Sequence, residues 1–309
     1  MHISVIIPVY NRESTLARAV RSALDQEPEP EEIIIVDDGS TDGSARVAEA
    51  LAEVSPKVRV IRQRNQGAAR ARNTGIKHAS GDWIAFLDSD DEWAPGRIQR
   101  IASFVTANPA LDFVHGNRVV LREDGSVDEI QQRVESSSQG SDREYLLAHM
   151  RIKTSTVLVR RDLLDRAHGL FNERLRTCED YELFWRLVLM ANAIAYDVAE
   201  GVIIHDTASS LTKQQRKSQL RDHVLARQLV ADWGKEQKLN ESTHAALTHH
   251  LKHEIYAALR HSLEAGVLPF IKETIWLTGA AGSGVTSLTL ARVARKRLRR
   301  SWRSPRPKP

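Results

Sequence analysis

The acidic residues cluster where they could do chemistry. Asp88, Asp90 and Asp91 fall within four residues, directly after the apolar run Ile84-Ala85-Phe86-Leu87. Three acids so close repel one another, and packing gives no reason to collect them. A hard divalent cation does, because it takes oxygen ligands and is often shared with a substrate's phosphates. The plain alternative is a solvated acidic turn capping the helix after Trp93. A second pair, Glu179-Asp180, precedes Tyr181, Phe184, Trp185, Leu187 and Val188, which recur at helical spacing. That pair therefore stands at a helix N-terminus, where acids also gain well under ~1 kcal/mol from the helix dipole. Two more polar stretches, Pro8 to Glu13 and Asp37 to Asp42, follow β-rich runs. Asp37 and Asp38 could serve a site or cap the next helix, a task Ser40 or Asp42 could also take.

The elements needed to position these groups alternate. Ile3-Ser4-Val5-Ile6-Ile7 reads as a strand stopped by Pro8, and Asn11 reads as the N-cap of a helix carrying Leu16, Ala19, Val20, Ala23 and Leu24. Ile33 to Val36 is a strand, a helix holds Val47, Ala48 and Leu51, and Val58 to Ile61 is a third strand. A helix begins at Gly67, and Ile84 to Leu87 is a strand buried on both faces. The βαβαβαβ order predicts an α/β fold: a mostly parallel sheet, right-handed crossovers and helices on both faces. Three polar clusters then meet at the carboxyl ends of strands, where open α/β sheets bind ligands.

Farther along, Asp112 to Leu121 alternates in part and predicts a strand, as does Lys153 to Val159. Glu135 to Ser141 has the composition of a loop. From Lys213 onward the pattern is helical, with apolar stripes such as Leu220, Val224, Leu225 and Leu229. His244, His249, His250 and His253 are close in sequence, but no carboxylate or cysteine completes a metal face, so a solvated or packed helix is the better reading. Gly279 to Thr286 mimics a phosphate-binding loop, but Val285 replaces its lysine and no βαβ unit follows, so that reading is rejected.

Composition sets outer limits. The 309 residues suffice for one large domain and an appendage, and 41% hydrophobic with 27% charged residues is ordinary for a soluble protein. The single cysteine, Cys178, excludes an intrachain disulfide and fits a reducing compartment. No signal peptide and no uninterrupted apolar span of membrane length is evident. The net charge of +4 conceals a basic end: nine Lys or Arg and no acid lie between Arg292 and Lys308. Without them the chain has 35 basic and 40 acidic residues, so its body needs no nucleic-acid partner. The tail is either a disordered solubilising end or a contact for anionic lipid.

Six stretches resemble, in order and approximate spacing, the signatures of family 2 glycosyltransferases. They are Val5 to Asn11, Val36 to Asp42, Gly67 to Gly75, Leu87 to Asp91, Gly169 to Glu173 and Cys178 to Leu187. The resemblance covers roughly residues 1–210 and implies the GT-A fold and an inverting transfer of sugar from a nucleotide-diphosphate sugar, a UDP-sugar in first place. It implies that Pro8, Val9, Tyr10, Asn11 and Glu13 line the nucleoside, with Asp38 accepting a hydrogen bond from the base. Gly67, Arg72 and Asn73 fall near ribose and diphosphate, and Asp88, Ser89 and Asp90 at the donor. It places Mn²⁺ or Mg²⁺ on Asp90 and Asp91, with His205 as a further candidate. It makes Asp180 the general base, with Glu179 beside it. The expected organisation is a catalytic domain over 1–210, a helical region over 211–290 and a basic tail over 291–309. The acceptor would be a saccharide or lipid-linked hydroxyl in cell-surface polysaccharide, lipopolysaccharide or glycolipid synthesis. The expected location is cytoplasmic, peripheral at the inner face of the membrane. A catalytically silent sugar-nucleotide-binding or scaffolding protein is the rival.

Overall fold

The computed structural model describes residues 1–130, 152–206 and 216–241, with Thr243, Ala245 and Leu247. The Glu135 to Ser141 loop, the four histidines near 250, the glycine-rich stretch from Gly279 and the basic tail lie outside the described residues. The chain divides into two compact units, residues 1–214 and 215–309. The described part of the second is chiefly a helix, Arg216–Glu236, which buries Val224, Ala226, Val230 and Ala231.

The first unit opens with strands β1 (Ile3–Val9), β2 (Glu32–Asp37), β3 (Val58–Arg62) and β4 (Trp83–Phe86). Between them run helices α1 (Leu16–Leu24), α2 (Ser44–Val54) and α3 (Ala68–His78). β1, β2, β3 and β4 are parallel and lie in the order β3-β2-β1-β4, so the chain reverses direction of growth at β1. In open α/β sheets ligands bind in the crevice at such a switch, here outside the carboxyl ends of β1 and β4. β1 and β2 are near-continuous apolar runs because both faces are covered. Ile3, Val5, Ile7 and Val9 join a core with α1 and α2, while Ile34 and Val36 pack on Ala71 of α3.

Beyond β4 the sheet becomes mixed. A two-residue strand β5 (Glu92–Trp93) and helix α4 (Arg97–Ala107) lead to the long β6 (Leu111–Arg122) and to β7 (Val127–Ile130). A 3-10 turn (Thr154–Thr156) precedes β8 (Leu158–Arg160) and α5 (Arg161–Arg166). Helix α6 (Glu179–Met190) then feeds β9 (Ala193–Asp206). β8 lies antiparallel between β4 and β6, and β9 runs parallel to β6. Near the end of β9, Val202 and Ile203 also pair antiparallel with Trp93 and Glu92.

Three sequence expectations change. β1 does not stop at Pro8 but continues to Val9, with Pro8 opposite Val36. β4 pairs with β1 only as far as Ile6, so beyond it one side of β1 is open and a residue without N–H is tolerated. Asn11 is not a helix cap: it takes a left-handed conformation (φ 52°), and α1 starts at Leu16, where Arg12 O accepts the Thr15 and Leu16 amides. Lys153 to Val159 is a turn for its first half and a strand only from Leu158.

Gly75 shows how closely α3 must approach β1. A Cβ there would sit 2.4 Å from Cγ2 of Ile6, a buried β-branched side chain that cannot swing away. Gly75→Ala should therefore cost about 1–3 kcal/mol by overpacking, although helix propensity alone favours alanine by about 1 kcal/mol. Urea unfolding of the two proteins measures this; a more stable variant would contradict the close approach.

Candidate active site

The loop after β1 and the loop after β2 are tied together before any ligand is considered. Asn11 Oδ1 accepts the Thr41 amide at 2.8 Å, and Ser40 Oγ accepts the Asn11 amide at 3.1 Å. Glu13 Oε2 accepts the Gly43 amide at 3.0 Å at the start of α2, and Asp42 accepts the Glu13 and Ser44 amides. Glu13 is thus placed as a clamp between loops. Tyr10 is left 46% exposed at the crevice end of β1, and Val9 is buried beneath it.

Asp38 is almost fully buried and holds the next loop in shape. Its Oδ1 accepts Gln63 Nε2 at 2.7 Å and the Gln66 amide at 2.9 Å, and its Oδ2 accepts the Gly67 amide at 2.8 Å. A carboxylate has about four acceptor positions, so one remains for another donor. Gly67 itself, at φ 91°, turns the chain into α3 in a conformation that suits glycine.

Two residues of α3 reach across to the second half of the chain. Asn73 uses both ends of its amide: Nδ2 donates to Phe171 O at 2.9 Å and to Glu173 Oε1 at 3.1 Å, and Oδ1 accepts the Phe171 amide at 2.8 Å. It pins the loop that precedes α6. Arg72 is buried, with Nη2 on Asp88 Oδ1 at 2.8 Å and Nη1 on Glu179 Oε1 at 2.7 Å. Its guanidinium also lies over the Phe171 ring, 5.3 Å from the centroid. One cation thus joins the acid at the end of β4 to the acids at the start of α6.

Burial disfavours the Arg72 charge, but Asp88 and Glu179 outweigh it and hold the guanidinium above its ordinary pKa. Glu179 is pushed up to about 7, first by burial and also by Asp180, against the pull of Arg72. Asp90 is raised by burial and by Asp88, and Asp91 is raised well above the usual range by burial, Asp88 and Asp90. Acids are therefore crowded here: Asp88 raises both Asp90 and Asp91, while Arg12 reaches only Asp90. Such a donor set fits a hard cation at Asp88, Asp90 and Asp91. Among the described residues, however, no three His, Cys, Asp or Glu side chains already converge as a metal cage.

Asp180 differs from its neighbour. It is half-buried rather than enclosed, its Oδ1 accepts the Tyr181 amide at 2.8 Å, and its Oδ2 accepts Thr154 Oγ at 3.4 Å. Among the described residues no Lys, Arg or His forms an ion pair with it, so two hydrogen bonds hold its carboxylate in place. Cys178, buried and at φ 65°, forms the turn into α6 and is packed there.

His205 lies on β9, where its Nε2 meets Glu92 Oε1; Arg18 Nε is 3.0 Å from the same oxygen. Arg18 Nη2 donates to Asp90 O at 3.0 Å, and Arg12 Nε lies 3.3 Å from Asp90 Oδ2. His205 therefore meets the acid turn through Glu92 and Arg18. Ser89 is buried inside that turn. Sequence reasoning missed Arg12, Arg18, Glu92 and Ser155. The signal was a basic residue on each side of α1's start and three successive hydroxyl residues, Thr154-Ser155-Thr156, ahead of an apolar run.

The sequence model of Glycosyl transferase family 2 matches residues 4–166, and the chain belongs to that family. It is 32% identical over 279 residues to the succinoglycan biosynthesis protein ExoU of Rhizobium meliloti, which spans 85% of this chain and 78% of that protein. It is 30% identical over 249 residues to an uncharacterized glycosyltransferase of Nostoc sp., spanning 75% of this chain and 76% of the other. Among solved structures, S. aureus TarS residues 1–349 superposes with a TM-score of 0.61 at 19% identity, over 92% of each chain. The same TarS fragment has been crystallised with UDP-GlcNAc (TM-score 0.58, 19% identity, 92% of this chain and 93% of that one). The fold is the expected GT-A fold. Among the described residues, no helix is long and apolar enough to cross a membrane.

Glu179 makes stability fall as pH rises. Its carboxyl keeps a proton to about 7 in the folded chain, against 4.5 ordinarily, so the folded state binds more protons in between. The contribution is fully present below about 4.5 and is lost as pH rises through about 7. Glu179→Gln should flatten that dependence, which is worth up to about 3 kcal/mol. Urea midpoints measured from pH 4.5 to 8 in both proteins test this; parallel curves would show that Glu179 stays ionised.

Proposed function

We propose that the chain is an inverting glycosyltransferase that moves a sugar from a nucleoside-diphosphate sugar, a UDP-sugar in first place, to an acceptor hydroxyl. The observation that carries the reading is the Arg72 bridge, which joins Asp88 of the acid turn to Glu179, the immediate neighbour of Asp180. Family membership supports transferase chemistry. The structures of TarS with UDP and with UDP-GlcNAc support the donor class, and similarity to a succinoglycan biosynthesis protein supports cell-surface polysaccharide as a product.

In this mechanism the loops after β1 and β2 bind the nucleoside, with Tyr10 exposed at the mouth and the free acceptor position of Asp38 available to a base N–H. Asp90 and Asp91, with the more exposed Asp88 beside them, would hold Mn²⁺ or Mg²⁺. When bound, that ion supplies positive charge to the diphosphate as it leaves. His205 would enter that shell only by giving up Glu92. Asp180 takes the proton of the acceptor hydroxyl as its oxygen attacks the anomeric carbon, and the bond to the diphosphate breaks on the opposite face. Glu179 stays with Arg72 and fixes where α6 begins. Between Arg292 and Lys308 the chain offers nine basic residues, suited to anionic lipid at the cytoplasmic face, where a lipid-linked acceptor would lie.

Two measurements test the reading. UDP affinity, followed by calorimetry, should fall sharply in EDTA and return with Mn²⁺; equal affinity in both conditions would remove the metal from the scheme. Asp180→Asn should leave UDP affinity nearly intact while UDP release from UDP-glucose, UDP-galactose or UDP-N-acetylglucosamine, with water as stand-in acceptor, falls ~10²–10⁴-fold. A wild-type protein that binds UDP but releases it from none of a wide donor and acceptor panel would favour the silent binding protein.

A further inference from the structure

The 3-10 turn Thr154–Thr156 touches both halves of the site at once. Ser155 is completely buried, and its hydroxyl works in two directions: it donates to Asp91 Oδ2 at 2.5 Å and accepts the Asp88 amide at 3.1 Å. The preceding hydroxyl, that of Thr154, donates to Asp180 Oδ2 at 3.4 Å. The turn is itself immobilised from below. Trp93 Nε1 donates to Ser155 O at 3.0 Å, Arg97 Nη2 donates to Thr156 O at 2.7 Å, and the Arg97 guanidinium lies over the Trp93 ring, 5.5 Å from its centroid. Buried tryptophan and arginine donors are costly to leave unmade, so these two bonds hold the carbonyls in place.

We propose that this turn sets the spacing between the donor-side acids and the base, Ser155 being a positioning residue for Asp88 and Asp91 and Thr154 a positioning residue for Asp180. The inference rests on the glycosyltransferase reading and deepens it. The acid turn after β4 has no regular structure to fix Asp91. A hydroxyl bonded at the same time to its carboxylate and to the amide three residues earlier fixes both. Serine suits that position because it is donor and acceptor together. Thr154 acts on the other acid: its bond orients one oxygen of Asp180, and the Tyr181 amide fixes the other. Groups that orient carboxylates in this way commonly change affinity or rate 10- to 100-fold when removed.

Adjacent residues should therefore fail in different ways. In the full-length protein, Ser155→Ala should weaken Mn²⁺-dependent UDP binding about 10- to 100-fold by calorimetry. Thr154→Val should leave UDP affinity within about twofold and lower UDP release from the three UDP-sugars above about tenfold. Ser155→Cys fills the same space with a poor hydrogen-bonding group and should follow Ser155→Ala in binding; it replaces that variant if the alanine form does not fold. Loss of thermal stability in both variants without this split between affinity and turnover would overturn the proposal, as would wild-type behaviour in both. A wild-type protein that neither binds UDP nor releases it from a donor would instead defeat the functional reading beneath it.

Discussion

A single guanidinium, buried between two carboxylates, determines the geometry of the site. Arg72 belongs to α3, Asp88 to the end of β4, and Glu179 to the first turn of α6, and these come together because one cation can serve two acids. Removing one member of a buried ionic group commonly costs 3–5 kcal/mol, since the rest are left desolvated and unpaired. The bridge therefore acts on position: α6 can begin in one place only. The fork of a guanidinium suits this, because its two nitrogens point at two acids at once, which an ammonium on a flexible stem does less well.

The other polar side chains divide their work around that bridge. Asp38, Asn73 and Glu13 spend most of their hydrogen-bonding capacity on backbone amides and carbonyls, and so shape loops. Tyr10 and Asp180 keep exposure or spare capacity. This separation lets a crevice of irregular loops hold its form without regular structure. It also explains why so many acids and amides cluster in a few residues: each ligand-facing group needs a neighbour committed to holding it.

The sequence made the parallel half legible and the mixed half much less so. β1, β2 and β4 are buried on both faces, and their apolar runs announce it; α6 announces itself by the spacing of Tyr181, Phe184, Trp185, Leu187 and Val188. The acidic turns could be read because charge crowding has no packing purpose. Asn11 could not, because a left-handed residue and an N-cap draw on the same residue types. β8 is three residues long and antiparallel, too short to show a period, so the turn before it merged with the strand. The partners of Asp91 and Asp180 were hidden for a different reason: serine and threonine are common everywhere, and only the pairing of β8 with β4 brings Thr154 and Ser155 beneath the acids.

The two-residue strand β5 has a consequence for the order of events during synthesis. Every strand and helix of the parallel block β3-β2-β1-β4 lies before residue 87, so all of its pairings, Ile3 with Trp83 included, become available once that residue has emerged. The acid turn that follows is completed from far downstream: by Ser155, 64 residues after Asp91; by Glu179, 107 after Arg72; and by Val202 and Ile203, which pair with Trp93 and Glu92. None of these contacts can form until the downstream residues have been made. A nascent chain therefore carries a formed nucleoside-side scaffold well before it carries a finished set of acids, and competence for chemistry arrives last, when β9 is laid along β5.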